Sequence, residues 1–113
     1  MRSERERYAI EDILANISLA IEFVGHRSAD ELKKDSLSLY ATVRALEIIS
    51  EASRRLGPEL KARHPDVPWQ MIAGSGNVYR HGYDILVADR IMTTVRSHIP
   101  QLRTALESEP QRK

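Results

Sequence analysis

The chain contains no cysteine, so disulfide bridges and thiolate metal sites are excluded. It has no apolar run near the roughly 20 residues that a membrane-spanning helix needs. It has no strong charge of either sign: the formal net charge is +1. Bulk charge therefore does not announce a nucleic-acid binder, and any RNA contact must come from a local patch. There is no P-loop, no dinucleotide fingerprint and no nucleophile elbow, so no cofactor is expected. His26, His64 and His98 are scattered and stand at no metal-ligand spacing with carboxylates, so no metal site is expected either. No internal repeat and no low-complexity segment occurs. The opening Met1-Arg2-Ser3-Glu4-Arg5-Glu6-Arg7 is too charged to lead a signal peptide. Together these absences point to a soluble cytoplasmic protein.

The 113 residues, 42% hydrophobic and 29% charged, fit a single domain with an ordinary globular balance. Its packed part is expected over about residues 4–106, followed by a polar, frayed tail at 107–113. A chain this short buries only part of its apolar surface, and a helical bundle of this size often gains core by dimerising.

The apolar pattern is helical almost throughout. Ser3 is a good N-cap, with Glu6 three residues on as in a capping box. Ile10, Ile13, Leu14, Ile17, Ile21 and Val24 then form one stripe at spacings of three and four, ending at Gly25. Leu19 and Phe23 lie off that stripe and suit a second neighbour, such as another subunit. Ser28 suits the cap of a short helix. The next helix is expected from Ser36 to Leu56, stopping at Gly57. Leu39, Val43, Leu46 and Ile49 line it, and Tyr40, Ala41, Ala45, Ile48 and Ala52 widen the apolar surface. A helix apolar on most sides is usually central. Pro58 to His64 reads as a helical turn or two, and Trp69, Met71 and Ile72 open a further segment. The last helix is expected from Val87 to Leu106, with Ile91, Val95, Ile99, Leu102 and Leu106 on one face and a kink at Pro100. The fold class is thus all-α: an up-and-down bundle of four long helices with one or two short ones.

Chemistry concentrates between Trp69 and Asp84, above all in Asn77-Val78-Tyr79-Arg80-His81-Gly82-Tyr83. A histidine that titrates near neutrality suits general acid or base work. The planar fork of an arginine can hold two phosphate oxygens. On a helix, Asn77 would share a face with Arg80 and His81, three and four residues on. Asn77 could then fix the imidazole tautomer while Arg80 reaches a phosphate. The bland alternatives stay open: His81 as a surface histidine, Arg80 paired with Asp84, Tyr79 and Tyr83 as packing rings. Gly74-Ser75-Gly76 either breaks the helix or bares the backbone for a close approach. Glu47 either pairs with Arg44 along its helix or orients Arg80 or His81. Arg54, Arg55, Lys61, Arg63 and His64 form a basic cluster. It is either a solvated surface, the default, or a guide for an RNA backbone or an acidic partner.

The stretch resembles the HepT family, the HEPN-domain toxins of HEPN/MNT toxin–antitoxin pairs. Ala45 to Ala52 looks like the family's central helix, Gly57 to Pro65 and Val67-Pro68-Trp69 like the connection after it. Ile72-Ala73-Gly74, Asn77 and His81-Gly82-Tyr83 resemble its signature segment, and Val95 to Leu102 its terminal helix. The resemblance spans roughly Tyr8 to Leu106. It implies a homodimer whose two motifs face a shared cleft, metal-independent cleavage of RNA, and a partner minimal nucleotidyltransferase antitoxin that silences the toxin by transferring AMP to Tyr83. It also implies a catalytic role for His81 with the polar Asn77; the chemistry of the residues themselves adds Arg80 as the catalytic phosphate clamp, with Glu47, Gly76 and Asp84 as supporting candidates. In the family pattern an arginine stands five residues before the histidine; here that position is Gly76, and Arg80 directly precedes His81. This marks a variant subgroup. A catalytically inactive adaptor of the nucleotidyltransferase is the alternative that this departure keeps open.

Overall fold

The computed structural model describes residues 3–78 and 85–110, with backbone alone at 76–78 and 85–87. Among the described residues every regular element is helical. The chain runs α1 (Glu4–Val24), α2 (Ala29–Lys34), α3 (Ser36–Ser53), α4 (Pro58–Ala62), α5 (Trp69–Val78), α6 (Ile85–Thr93), a π-helical turn (Thr94–His98) and α7 (Ile99–Ser108). The expected all-α bundle is what forms, with α1, α3, α5 and the continuous α6–π–α7 rod as its long members and α2 and α4 as its short ones.

Local chemistry sets the helix ends. The Ser3 hydroxyl accepts the Glu6 N–H at 3.0 Å. The Glu6 carboxylate, expected to close a capping box, instead accepts the Gly57 N–H at 2.6 Å and ties α1 to the α3–α4 turn. The reciprocal box forms at α2, where Ser28 and Glu31 exchange hydrogen bonds. Gly25 closes α1 at φ +54°, a conformation that glycine adopts cheaply. Asp35 serves two helices. Its N–H donates to Leu32 at the end of α2, and its carboxylate accepts the Ser38 N–H at the start of α3.

The core follows the expected stripes. On α1, Ile10, Ile13, Ile17 and Val24 are buried, with Leu14 and Ile21 partly so. On α3, Leu39, Val43, Leu46 and Ile49 are buried. This helix packs on α1 along one side and α5 along another, which makes it central. On the terminal rod, Ile91, Val95, Ile99, Leu102 and Leu106 are all buried. Each such side chain contributes roughly 1.5–3 kcal/mol when taken from water. An exposed ion pair contributes below about 1 kcal/mol, so apolar burial dominates the stability.

Three expectations are corrected. Helix α3 ends at Ser53 and the chain turns through Leu56, three residues before the expected stop. The kink at Pro100 takes the form of the π turn just before it, which widens the helix where proline removes a donor and crowds the preceding carbonyl. The packed chain also extends past Leu106: α7 reaches Ser108, and Glu109 is 5% exposed.

Candidate functional site at the junction of α5 and α6

Helix α5 is held on α3 by one carbonyl. The Ala73 oxygen accepts the Ser50 hydroxyl at 2.7 Å and Arg54 Nη2 at 2.5 Å. Ser50 is buried in the central helix, so this clamp fixes α5 one turn before Asn77. At its other end α5 is aimed by Trp69, whose indole N–H donates to the His64 carbonyl at 3.0 Å. The helix runs unbroken through Gly74, Ser75 and Gly76. Gly-Ser-Gly is therefore not a helix breaker. A Cβ placed on Gly74 meets nothing within 4 Å, so the backbone is bare there.

The sequence-predicted site falls on this helix and beyond it. Gly76 and Asn77 stand in the last turn of α5, with their side chains outside the described residues. Arg80, His81, Tyr83 and Asp84 lie outside the described residues altogether, as does Tyr79. Glu47 sits on α3 with its side chain 22% exposed and Arg44 Nη1 at 3.5 Å. This contact with Arg44 is one of the two arrangements expected for it.

A groove of about 520 Å³ opens where α5 faces α6 and the π turn. Met71, Gly74 and Ser75 form one side; Asp89, Arg90, Thr94 and His98 form the other. Met71, expected to begin an apolar segment, is 59% exposed. Arg90 and His98 escaped the sequence reading. The available signal was Arg90, Thr94 and His98 at intervals of four on the polar side of an otherwise apolar helix.

The basic cluster, by contrast, is largely consumed. Arg54 is on Ala73, and Arg55 Nη2 pairs with Asp12 at 3.2 Å. Arg63 places its fork on Glu109 at 2.7 and 3.1 Å, and His64 Nε2 lies 2.6 Å from the same carboxylate. The Glu109 hydrogen bonds hold the Arg63 guanidinium above its ordinary pKa. Lys61 lies over the Trp69 ring at 6.0 Å, near the outer limit of a cation–π contact. Among the described residues no three metal-ligating side chains gather, and no helix is long and apolar enough to cross a membrane.

The family described as Ribonuclease HepT-like matches residues 13–109. The chain belongs to the HepT-like family. It is 33% identical over 98 residues to a protein of Thermococcus cleftensis described as a probable ribonuclease HepT, covering 87% of this chain and 89% of that one. It is 37% identical over 93 residues to a candidate RNase of Caldanaerobacter subterraneus subsp. tengcongensis, covering 82% and 83%. A candidate RNase of Methanocaldococcus jannaschii is 31% identical over 96 residues, covering 85% and 88%. No solved structure matches the chain. The HepT-like match takes in the clamp on Ala73, the groove and the whole Asn77–Tyr83 stretch.

Proposed function

We propose that this HepT-like chain is an endoribonuclease that cuts RNA without a metal, in a cleft shared by two copies. The observation that carries the reading is the Asn77–Arg80–His81–Tyr83 stretch, which begins in the last turn of α5 and precedes α6 in the chain, inside the family match. His81 takes the proton of the ribose 2′-hydroxyl, whose oxygen attacks phosphorus. The bond to the 5′-oxygen breaks, and an imidazolium returns a proton to that leaving oxygen. One histidine does both jobs in turn, or two divide them across the dimer axis. Arg80 spreads its fork over the phosphate oxygens, and Asn77 sets the imidazole tautomer. Glu47 and Asp84 orient these groups, while Gly76 lets the second copy or the strand come close. The setting is a single cytoplasmic domain, residues 1–113, acting as the toxin of a toxin–antitoxin pair.

The test is cleavage of single-stranded RNA in the presence of a chelator. His81→Ala is expected to lower the rate by about 10²–10⁴-fold, and Arg80→Ala to lower it as well. Equal inertness of wild type and both variants on diverse RNAs ends the nuclease reading.

Gly76, standing where the family pattern has arginine, favours a second reading: a non-catalytic dimeric partner of a minimal nucleotidyltransferase. Under either reading Tyr83 is the acceptor of AMP. Its hydroxyl oxygen attacks the α-phosphorus of ATP and pyrophosphate leaves. Intact mass after incubation with the partner and ATP reports this. Addition that survives Tyr83→Phe removes Tyr83 from the role.

A further inference from the structure

Arginines on this surface are mostly spoken for. Arg7, Arg27, Arg44, Arg55 and Arg63 pair with carboxylates. Arg54, Arg96 and Arg103 donate to oxygens of Ala73, Arg27 and Ser18. Among the described arginines, Arg90 and Arg5 alone have no hydrogen-bond or ion-pair partner. Arg5 lies in the first turn of α1, remote in sequence from the walls of the α5–α6 groove. Arg90 lines the groove between α5 and the terminal rod, and so does His98, which likewise has no partner. An exposed guanidinium without a carboxylate keeps its full capacity for an incoming anion.

The two sides of the groove differ in kind. One offers the exposed Met71 side chain and the bare backbone of Gly74. The other offers Arg90 and His98, with Asp89 beside them. The π turn that carries His98 is a deviation that recurs at functional sites. Its volume falls within the roughly 300–1,000 Å³ of small-ligand pockets. Helix α5 ends at Val78 and α6 begins at Ile85, so both walls lead directly into the motif segment.

We propose that this groove seats one nucleotide of the RNA strand flanking the cleaved phosphodiester. Arg90 and His98 hold its phosphate, and Met71 and Gly74 floor its base. Asp89 can only accept a hydrogen bond and repels phosphate, so it meets a ribose hydroxyl or a base amino group. The assignment rests on the ribonuclease reading for its strand, while the groove can be probed without cleavage.

Two measurements on the full chain separate the two. In the first, a 5′-nucleoside monophosphate or inorganic phosphate is titrated while the imidazole resonances are followed by NMR, with His98→Gln assigning its own signal. The nucleotide is expected to move the His98 signal at lower concentration than phosphate. Equal response to both removes the base floor, and no response to either overturns the proposal. In the second, Arg90→Ala is compared with wild type on single-stranded RNA. KM is expected to rise about tenfold, the worth of one charged hydrogen bond, with kcat within twofold. The log–log salt slope of binding is expected to flatten by about 0.7. Arg5→Ala is expected to change neither. RNA cleavage with unchanged KM and salt slope in Arg90→Ala overturns the groove and leaves the motif reading intact. A response of His98 to nucleotide in a protein that cuts no RNA does the reverse.

Discussion

Two corners of the molecule hold an arginine and a histidine each, and they have opposite fates. At the end of α4, Arg63 and His64 close on the 5%-exposed Glu109. At the groove, Arg90 and His98 close on nothing. Basic residues close together in the chain were the visible signal, yet the arginine and histidine left available at the groove stand eight residues apart. What separates the corners is one carboxylate, delivered from 45 residues beyond His64 by the packing of α7. A cation engaged by a buried carboxylate has become structure, and only an unengaged one is open to a ligand.

The sharpest way to break this contrast is to remove the carboxylate. Glu109→Ala leaves Arg63 and His64 without their shared acceptor and frees the end of α7. Thermal unfolding is expected about 4–8 °C lower. Arg90→Ala, an exposed change that touches no partner, is expected to leave the transition nearly unmoved. Phosphate should then raise the transition of Glu109→Ala more than that of wild type, because the corner has been turned into an anion site. Equal thermal stability of the two variants, or a larger loss at Arg90, would put the structural corner at the groove and reverse the assignment.

The glycines sharpen the same comparison. At the closed corner, a Cβ on Gly57 would lie 3.0 Å from the Glu6 carboxylate that accepts its N–H. At the groove, a Cβ on Gly74 meets open space inside a helix. Gly74→Ala is therefore expected to raise the free energy of unfolding by about 0.5–1 kcal/mol, the helix-propensity difference. It is also expected to weaken nucleotide binding several-fold by roughening the floor. Urea unfolding and the monophosphate titration read the two effects. A loss of stability instead would mean that a second copy packs against α5 there, and the groove would be an interface.

The uneven legibility of the chain has a physical cause. The α1 stripe and the face of the terminal rod could be read because helical periodicity is local: residues three and four apart share a side whatever lies elsewhere. The centrality of α3 was legible for the same reason, since apolar residues around its circumference need neighbours on several sides. The role of Glu109 was not, because a glutamate near a polar chain end carries no mark of the cations it will meet. Glu6 was misassigned similarly: the capping spacing was present, but the half-buried backbone N–H of Gly57 took its carboxylate in place of its own helix end. The π turn was visible only as Pro100, whose clash can be relieved by a kink or by a widened turn. The motif stretch was legible from residue types and resemblance, and beyond Val78 it lies outside the described residues. Arg90 and His98 acquired a groove to line only once α5 lay opposite the terminal rod.

The smallest expected effect lies between the corners, at the α2–α3 joint, and it tests whether acid opens the joint before the closed corner. Backbone and hydroxyl hydrogen bonds from Ser38, with Arg27 adding 3.1 Å ion pairing, hold the Asp35 carboxyl below its usual range. The Ser28 N–H and hydroxyl do the same for Glu31. A carboxyl depressed in the folded state adds stability above its unfolded pKa. That stability is lost as pH falls through the folded value, so it should fade below the ordinary carboxylate range. Asp35→Asn keeps an N-cap acceptor but cannot titrate. The expected outcome is a modest acid-side drop in urea midpoint for wild type that is smaller in Asp35→Asn, accompanied by earlier loss of amide protection at Ser38 than at Arg63 in the closed corner. Identical acid profiles for the two proteins would show that the Asp35 side chain caps α3 equally well with its proton on, and that the joint owes its stability to Leu32 and Leu39 beneath it rather than to charge.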